Sequence, residues 1–182
     1  DEFVAPVRQK LDAAGFKYEI KARVKSAYSI YKKMERKKLA FHDIYDVYAV
    51  RVVFDNDDDD AETLRCWQIY TFFAEGHRLH PDRLRDWTVT PKPNGYRSLH
   101  LILEVPVFFS NQKKPMRVEV QIRTIAMDFW SSVDHQLKYK HDVPNADELS
   151  AQLKECADII SQTDMRMLAI KNQLYSSEPS EN

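Results

Sequence analysis

The chain has 182 residues, 43% hydrophobic and 30% charged, enough for one domain with a sizeable buried core. Its net charge of −1 excludes a uniformly basic nucleic-acid-binding surface, and no apolar run approaches the roughly 18 residues of a membrane span. Two cysteines, Cys66 and Cys156, form no CxxC or other close pair, which excludes a disulfide framework and fits a reducing cytosol.

In chain order, residues 2–14 read as a short helix that Gly15 ends. Residues 18–25 alternate. Tyr18, Ile20, Ala22 and Val24 take one face of a strand, and Glu19, Lys21, Arg23 and Lys25 take the other. A helix would set Arg23 and Lys25 about 200° apart. Ser26 then caps a helix running to about Lys38, on which Ser29, Lys33 and Lys37 share a face. Residues 21–38 hold eight Lys or Arg and one acid, Glu35, so several cations converge on one place.

Residues 44–54 form a β-rich segment, apolar on both sides like a central strand and interrupted by Asp46 and Arg51. Strict alternation puts these two on opposite faces, so Asp46 precedes the strand or a bulge lies between them. An acid buried unpaired costs several kcal/mol. Asp46 therefore needs Arg51 or a cation such as Mg²⁺, which one or two carboxylates hold together with substrate phosphates. The run 55–60, with five Asp, reads as a solvated acidic loop. It has no Gly at position six of a calcium loop and Cys66 at position twelve.

Residues 61–75 look helical and 77–85 form a polar connection, in which His77 and His80 have no further metal ligand nearby. The stretch 91–100 carries Pro93-Asn94-Gly95 turn chemistry followed by Tyr96, with Lys92, Arg97 and His100 around the ring. An aromatic ring among cations suits a nucleotide: the ring stacks on a base while charges meet phosphates. The same residues also describe a plain hairpin with a half-buried Tyr.

Residues 99–107 and 116–124 pair as a hairpin around a turn at 108–115. In its second strand Val118, Val120 and Ile122 alternate with Glu119, Gln121 and Arg123, giving one apolar and one polar face. Glu119 there either pairs with an Arg or holds a metal or a proton. A helix follows from Ile125 to about Lys140, Pro144 and Asn145 break the chain, and 147–175 form one long helix. Its apolar-leaning positions 149, 153, 156, 160, 163, 167, 170 and 174 make a heptad-like stripe. Only three glycines are present and none sits in a phosphate-binding loop, so polyphosphate would be held by side-chain cations.

Five blocks in order resemble the synthetase domain of the RelA/SpoT family over about residues 18–140: Arg23, Lys25, Ser29 and Lys33; Asp43 and Asp46 through Arg51; Pro91 to His100; Val118 to Thr124; and Trp130, His135, Tyr139 and Lys140. In length the chain is similar to the stand-alone small alarmone synthetases. The resemblance implies an α+β fold, a mixed sheet flanked by helices as in nucleotidyltransferases, followed by a long C-terminal helix. The chain thus divides into a synthetase domain, 1–145, and the heptad-striped helix with its tail, 146–182, which either packs on the domain itself or serves for oligomerisation, as in the family's tetramers.

The activity implied is transfer of pyrophosphate from ATP to the 3′-hydroxyl of GDP or GTP, giving ppGpp or pppGpp and AMP, in the cytoplasm. By resemblance, Arg23 and Arg51 sandwich the adenine, while Lys25, Ser29 and Lys33 meet the ATP phosphates. Asp46 binds Mg²⁺, and Glu119 binds Mg²⁺ or activates the hydroxyl. Tyr96 stacks on guanine, with Lys92, Asn94, His100, Gln121 and Arg85 around the acceptor. One departure stands out: at 83–87 the chain reads Arg-Leu-Arg-Asp-Trp, with Arg85 and Trp87 where the family often has Lys and Tyr. The alternatives are a toxic relative acting on the tRNA 3′ end or on adenosine nucleotides, and a nucleotide-binding scaffold with a decayed site.

Overall fold

The computed structural model describes residues 3–56, 61–109, 112–139 and 144–176. Helices are α1 (Ala5–Ala13), α2 (Ala27–Lys37), α3 (Glu62–Ala74), α4 (Ile125–Tyr139) and α5 (Ala146–Ser176). Strands are β1 (Tyr18–Val24), β2 (Tyr48–Phe54), β3 (Arg78–Leu79), β4 (Arg85–Asp86), β5 (Leu99–Phe109) and β6 (Gln112–Thr124). They form one mixed sheet in the order β1-β2-β6-β5-β3, with β4 also pairing to β5. Only β2 and β6 run parallel, and the chain between them passes through α3 and β5.

Alternation sorts the sheet into two faces. Val50, Val52 and Phe54, Leu99, Leu101 and Leu103, and Val118, Val120 and Ile122 lie in one cluster with Val7 and Leu11 of α1 and Cys66, Ile69 and Phe73 of α3. The opposite face carries the polar residues in register. One row reads Lys21, Arg51, Gln121, His100 and Arg85, and the next reads Arg23, Ala49, Glu119 and Ile102. Paired residues point to the same side, so five strands contribute to one face.

Several boundaries differ from the sequence reading. The β2 ladder starts at Tyr48, leaving Asp46 ahead of the strand, the first of the two arrangements the alternation allowed. The turn expected at 108–115 is mostly strand, because both partners extend past their apolar runs. The connection 77–85 holds β3 and, with Asp86, β4, whose two-residue strands have no period to read. The acidic residues 57–60, the polar tail 177–182 and Lys140 lie outside the described residues.

Two contacts fix the loop before β5. The buried Arg97 donates to Glu62 in the first turn of α3 (3.0 Å) and to the Thr88 carbonyl (3.4 Å). It is therefore a structural ion pair, not one of the nucleotide-facing cations that its place beside Tyr96 suggested. Gly95 has φ +88°, and a Cβ there would meet the Ala157 methyl of α5 at 2.8 Å. Trp130 of α4 donates to the Leu153 carbonyl of α5 (2.9 Å), closing the same corner. Among the described side chains of α5 the buried one is Ala157, while Cys156 in the expected stripe is exposed: close approach to a turn selects a small residue over the heptad's choice.

Gly95→Ala should therefore lower unfolding stability by about 2–4 kcal/mol, combining left-handed backbone strain with overpacking. The double variant Gly95→Ala/Ala157→Gly should recover the packing part. Denaturant unfolding of the three proteins measures both; a fully stable Gly95→Ala variant would contradict the contact.

Candidate active site

The polar rows open into a cleft of about 310 Å³ lined by Lys21, Arg23, Lys25, Asp46, Ala49, Arg51, Glu119 and Gln121. β1 supplies Lys21 and Arg23 because its polar face looks the same way as that of β6, Lys25 follows directly after it, and β2 supplies Arg51. Asp46, placed ahead of β2, accepts a hydrogen bond from Lys25 Nζ (2.6 Å) and pairs with Lys33 Nζ (2.7 Å). Burial raises the Asp46 pKa, but the two ammonium groups outweigh it and hold the carboxyl below its ordinary value. Ser26 caps α2 by accepting from the Ser29 amide (3.3 Å), and its hydroxyl donates to that of Ser29 (2.9 Å). Helix α2 buries none of its residues, so Lys33 is its polar tie to the cleft.

Glu119 sits on the floor between the cation-lined side and the Tyr96 loop. Gln121 Nε2 donates to its Oε2 (2.8 Å), and His100 Nδ1 lies 3.1 Å from its Oε1. Burial pushes the carboxyl up, yet the His100 contact and the Gln121 hydrogen bond bring it below the ordinary value, so Glu119 is ionised at neutral pH. Burial also lowers His100 despite the pull of Glu119, so the ring is neutral there. An ionised carboxylate only accepts, which places the ring proton on Nδ1 and makes Nε2 the acceptor for the Tyr96 hydroxyl (2.8 Å). Arg123 Nη2 donates in turn to the Tyr96 oxygen. All donors run in one direction, from Arg123 through Tyr96 and His100 to Glu119.

On the far side of this chain, Lys92 Nζ lies 3.9 Å from the Trp87 ring centre and 4.6 Å from that of Tyr96. The Trp87 ring is edge-on to His100 at 4.7 Å. Asn94 is used in the turn, its Oδ1 accepting from the Tyr96 amide (3.4 Å). Arg85 does not reach the cleft, although it stands opposite His100 in the ladder. Its guanidinium donates to the Asp82 and Leu84 carbonyls (2.9 and 2.8 Å) and the residue is exposed. Sequence reasoning missed Asp128 altogether and placed Arg123 only on the polar face of its strand. Asp128 pairs with both Arg51 (3.2 Å) and Arg123 (3.0 Å). The strand alternation pointed to Arg123; nothing in the sequence marked Asp128, which depends on how α4 turns back over the sheet.

Chemically, the cleft offers two carboxylates and a bank of cations. No cluster of three metal-binding side chains occurs among the described residues. The pair of hard oxygen donors fits Mg²⁺ that arrives with phosphates and keeps most of its shell from them and from water, not a caged ion. Arg51 Nε is buried with no acceptor among the described residues, as are Arg65 Nε and Arg97 Nε.

Comparison with known proteins decides the family. Residues 22–144 match the region found in RelA / SpoT proteins. The chain belongs to the RelA/SpoT family. It is 40% identical over 162 residues to GTP pyrophosphokinase YwaC of Bacillus subtilis (strain 168), spanning 85% of this chain and 73% of that protein. GTP pyrophosphokinase of Escherichia coli (strain K12) is 37% identical over 142 residues, 77% of this chain but only 17% of that much longer protein. Of solved structures, small alarmone synthetase 2 from B. subtilis aligns with a TM-score of 0.70 at 34% identity, covering 94% of this chain and 97% of that one. Small alarmone synthetase 1 from the same organism, bound to its product pppGpp, aligns at 0.69 and 25%, covering 94% and 96%. The α+β fold with a mixed sheet is the one these synthetases share. No helix among the described residues of this RelA/SpoT member is long and apolar enough to cross a membrane.

Asp46→Ala should leave Lys33 without its partner and loosen α2. Amide exchange across 27–37 should speed up roughly fivefold, the worth of about 1 kcal/mol, while β2 stays protected. Unchanged protection of α2 would show that something else holds it.

Proposed function

We propose that this chain transfers pyrophosphate from ATP to the ribose 3′-hydroxyl of GDP or GTP, forming ppGpp or pppGpp and AMP. The observation that carries the reading is the ionised Glu119, held by two side-chain hydrogen bonds between a cation-lined cleft and an aromatic acceptor-side loop. The names of the relatives support it and favour a guanosine acceptor over tRNA or adenosine nucleotides.

In this reading Arg23 and Arg51 clasp the adenine, and Lys25, Ser29 and Lys33 neutralise the ATP phosphates. Lys25 and Lys33 already share the anion Asp46, so they are poised to exchange it for phosphate oxygens. Asp46 and Glu119 are the groups that would hold Mg²⁺, which when bound offsets charge on the phosphates. Tyr96 presents its ring to the acceptor base, with Lys92, Asn94 and Gln121 beside it. His100 acts through Glu119, and Arg85 would have to leave its backbone carbonyls to join them.

Glu119 accepts the proton as the 3′-oxygen bonds to the β-phosphorus. The bond from that phosphorus to the bridging oxygen breaks, and AMP leaves with its electron pair. The setting is the cytoplasm, in keeping with the two free thiols. Self-association is supported by the apolar side chains Ile159, Met165 and Ile170, exposed along α5.

Purified protein with ATP and Mg²⁺ should release AMP and form a tetra- or pentaphosphate when given GDP or GTP, and not when given AMP or tRNA. Glu119→Gln should lower kcat by about 10²–10⁴-fold while calorimetry still registers both nucleotides. Turnover of tRNA or AMP instead would move the chain to the toxic relatives. Binding without turnover of any acceptor would make it a decayed scaffold.

A further inference from the structure

Arg123 is 3% exposed, yet its guanidinium is spread over four partners. Nε donates to Ser98 Oγ (3.3 Å), Nη1 to Asp128 Oδ1 (3.0 Å), and Nη2 to Gln121 Oε1 (2.9 Å) and the Tyr96 hydroxyl. One of these partners, Tyr96, belongs to the acceptor side, and another, Gln121, stands at the junction, lining the cleft beside Glu119. The third, Asp128, uses the same Oδ1 to hold Arg51 Nη1 (3.2 Å), and Arg51 lines the donor cleft. Arg51 and Arg123 thus lie close enough that each charge disfavours the other, and one carboxylate oxygen reconciles them. Asp128 is supplied by the first turn of α4, where the helix dipole also favours an anion.

We infer that Arg123 and Asp128 are positioning residues that join the two half-sites, so that filling the acceptor side orders Arg51 and tightens binding of the donor nucleotide. This rests on the proposed reaction for the assignment of the two sides. The physical route is short. A base seated on Tyr96 fixes that ring, and the ring hydroxyl fixes one edge of the Arg123 fork. The fork sets Asp128, and Asp128 sets the plane of Arg51. By linkage the donor must tighten the acceptor by the same factor. A lysine at 123 would keep the charge but could not make four directed bonds at once.

The test is calorimetric, on the full chain with Mg²⁺. A non-transferable ATP analogue, α,β-methylene ATP, is titrated with and without saturating GDP, and GDP is titrated with and without the analogue. In the parent protein each should tighten the other by the same factor, at least about fivefold. In Arg123→Lys and Asp128→Asn that factor should fall towards one. Tyr96→Phe, which keeps the ring and removes only the hydroxyl, should lose it too and guards against a misfolded charge variant. Coupling retained in Tyr96→Phe and in any folded charge variant overturns the inference, as does a parent protein that binds both nucleotides independently; in either case the proposed reaction stands. A parent protein that binds neither nucleotide overturns the reaction and the inference together.

Discussion

The site depends on one carboxylate kept ionised in a place where burial works against it. Glu119 stands mid-strand in the sheet, and burial pushes its carboxyl towards the protonated form. Donors from Gln121 on its own strand and His100 on the next reverse that. His100 can donate because the Tyr96 hydroxyl fills its other nitrogen, and Tyr96 can donate because Arg123 fills its oxygen. The Tyr96 ring and the Glu119 carboxylate are therefore held by one hydrogen-bond chain. A change at either end is felt at the other.

The sheet makes this possible by register. Parallel pairing of β2 with β6 sets Ala49 beside Glu119 and Arg51 beside Gln121; antiparallel pairing of β1 brings Lys21 and Arg23 into the same rows. The small side chain at 49 leaves room for the cleft beside Glu119. Opposite this surface, the apolar face is packed by α1 and α3, so the polar face need not supply the core. The loop with Tyr96 is pinned from both sides, by Arg97 on Glu62 beneath and by α5 against Gly95 above. That gives α5 a role in shaping the site as well as an exposed apolar flank.

Much of this was legible from short-range pattern. The period of two in β6 placed Glu119, Gln121 and Arg123 on one face, and the Ser26 cap and the Gly95 turn lie where their chemistry put them. Alternation also required Asp46 to precede its strand or lie beyond a bulge, and the ladder begins two residues after it. Most of what escaped depends on partners or packing that no local pattern shows. Arg97 looked like a phosphate ligand until Glu62, 35 residues away, claimed it. Arg85 has the right strand register, but backbone carbonyls of its own loop turn its guanidinium aside. Asp128 sits in a helix whose packing no local pattern reveals, and Ala157 replaced Cys156 as the buried α5 position because of a turn 62 residues upstream.

The directional chain ending on Glu119 is most directly tested by nitrogen-15 NMR of the His100 ring at neutral pH. The account predicts a neutral ring protonated on Nδ1, with a hydrogen bond to residue 119 that disappears in Glu119→Ala. A ring protonated on Nε2 alone would reverse the donors and contradict it.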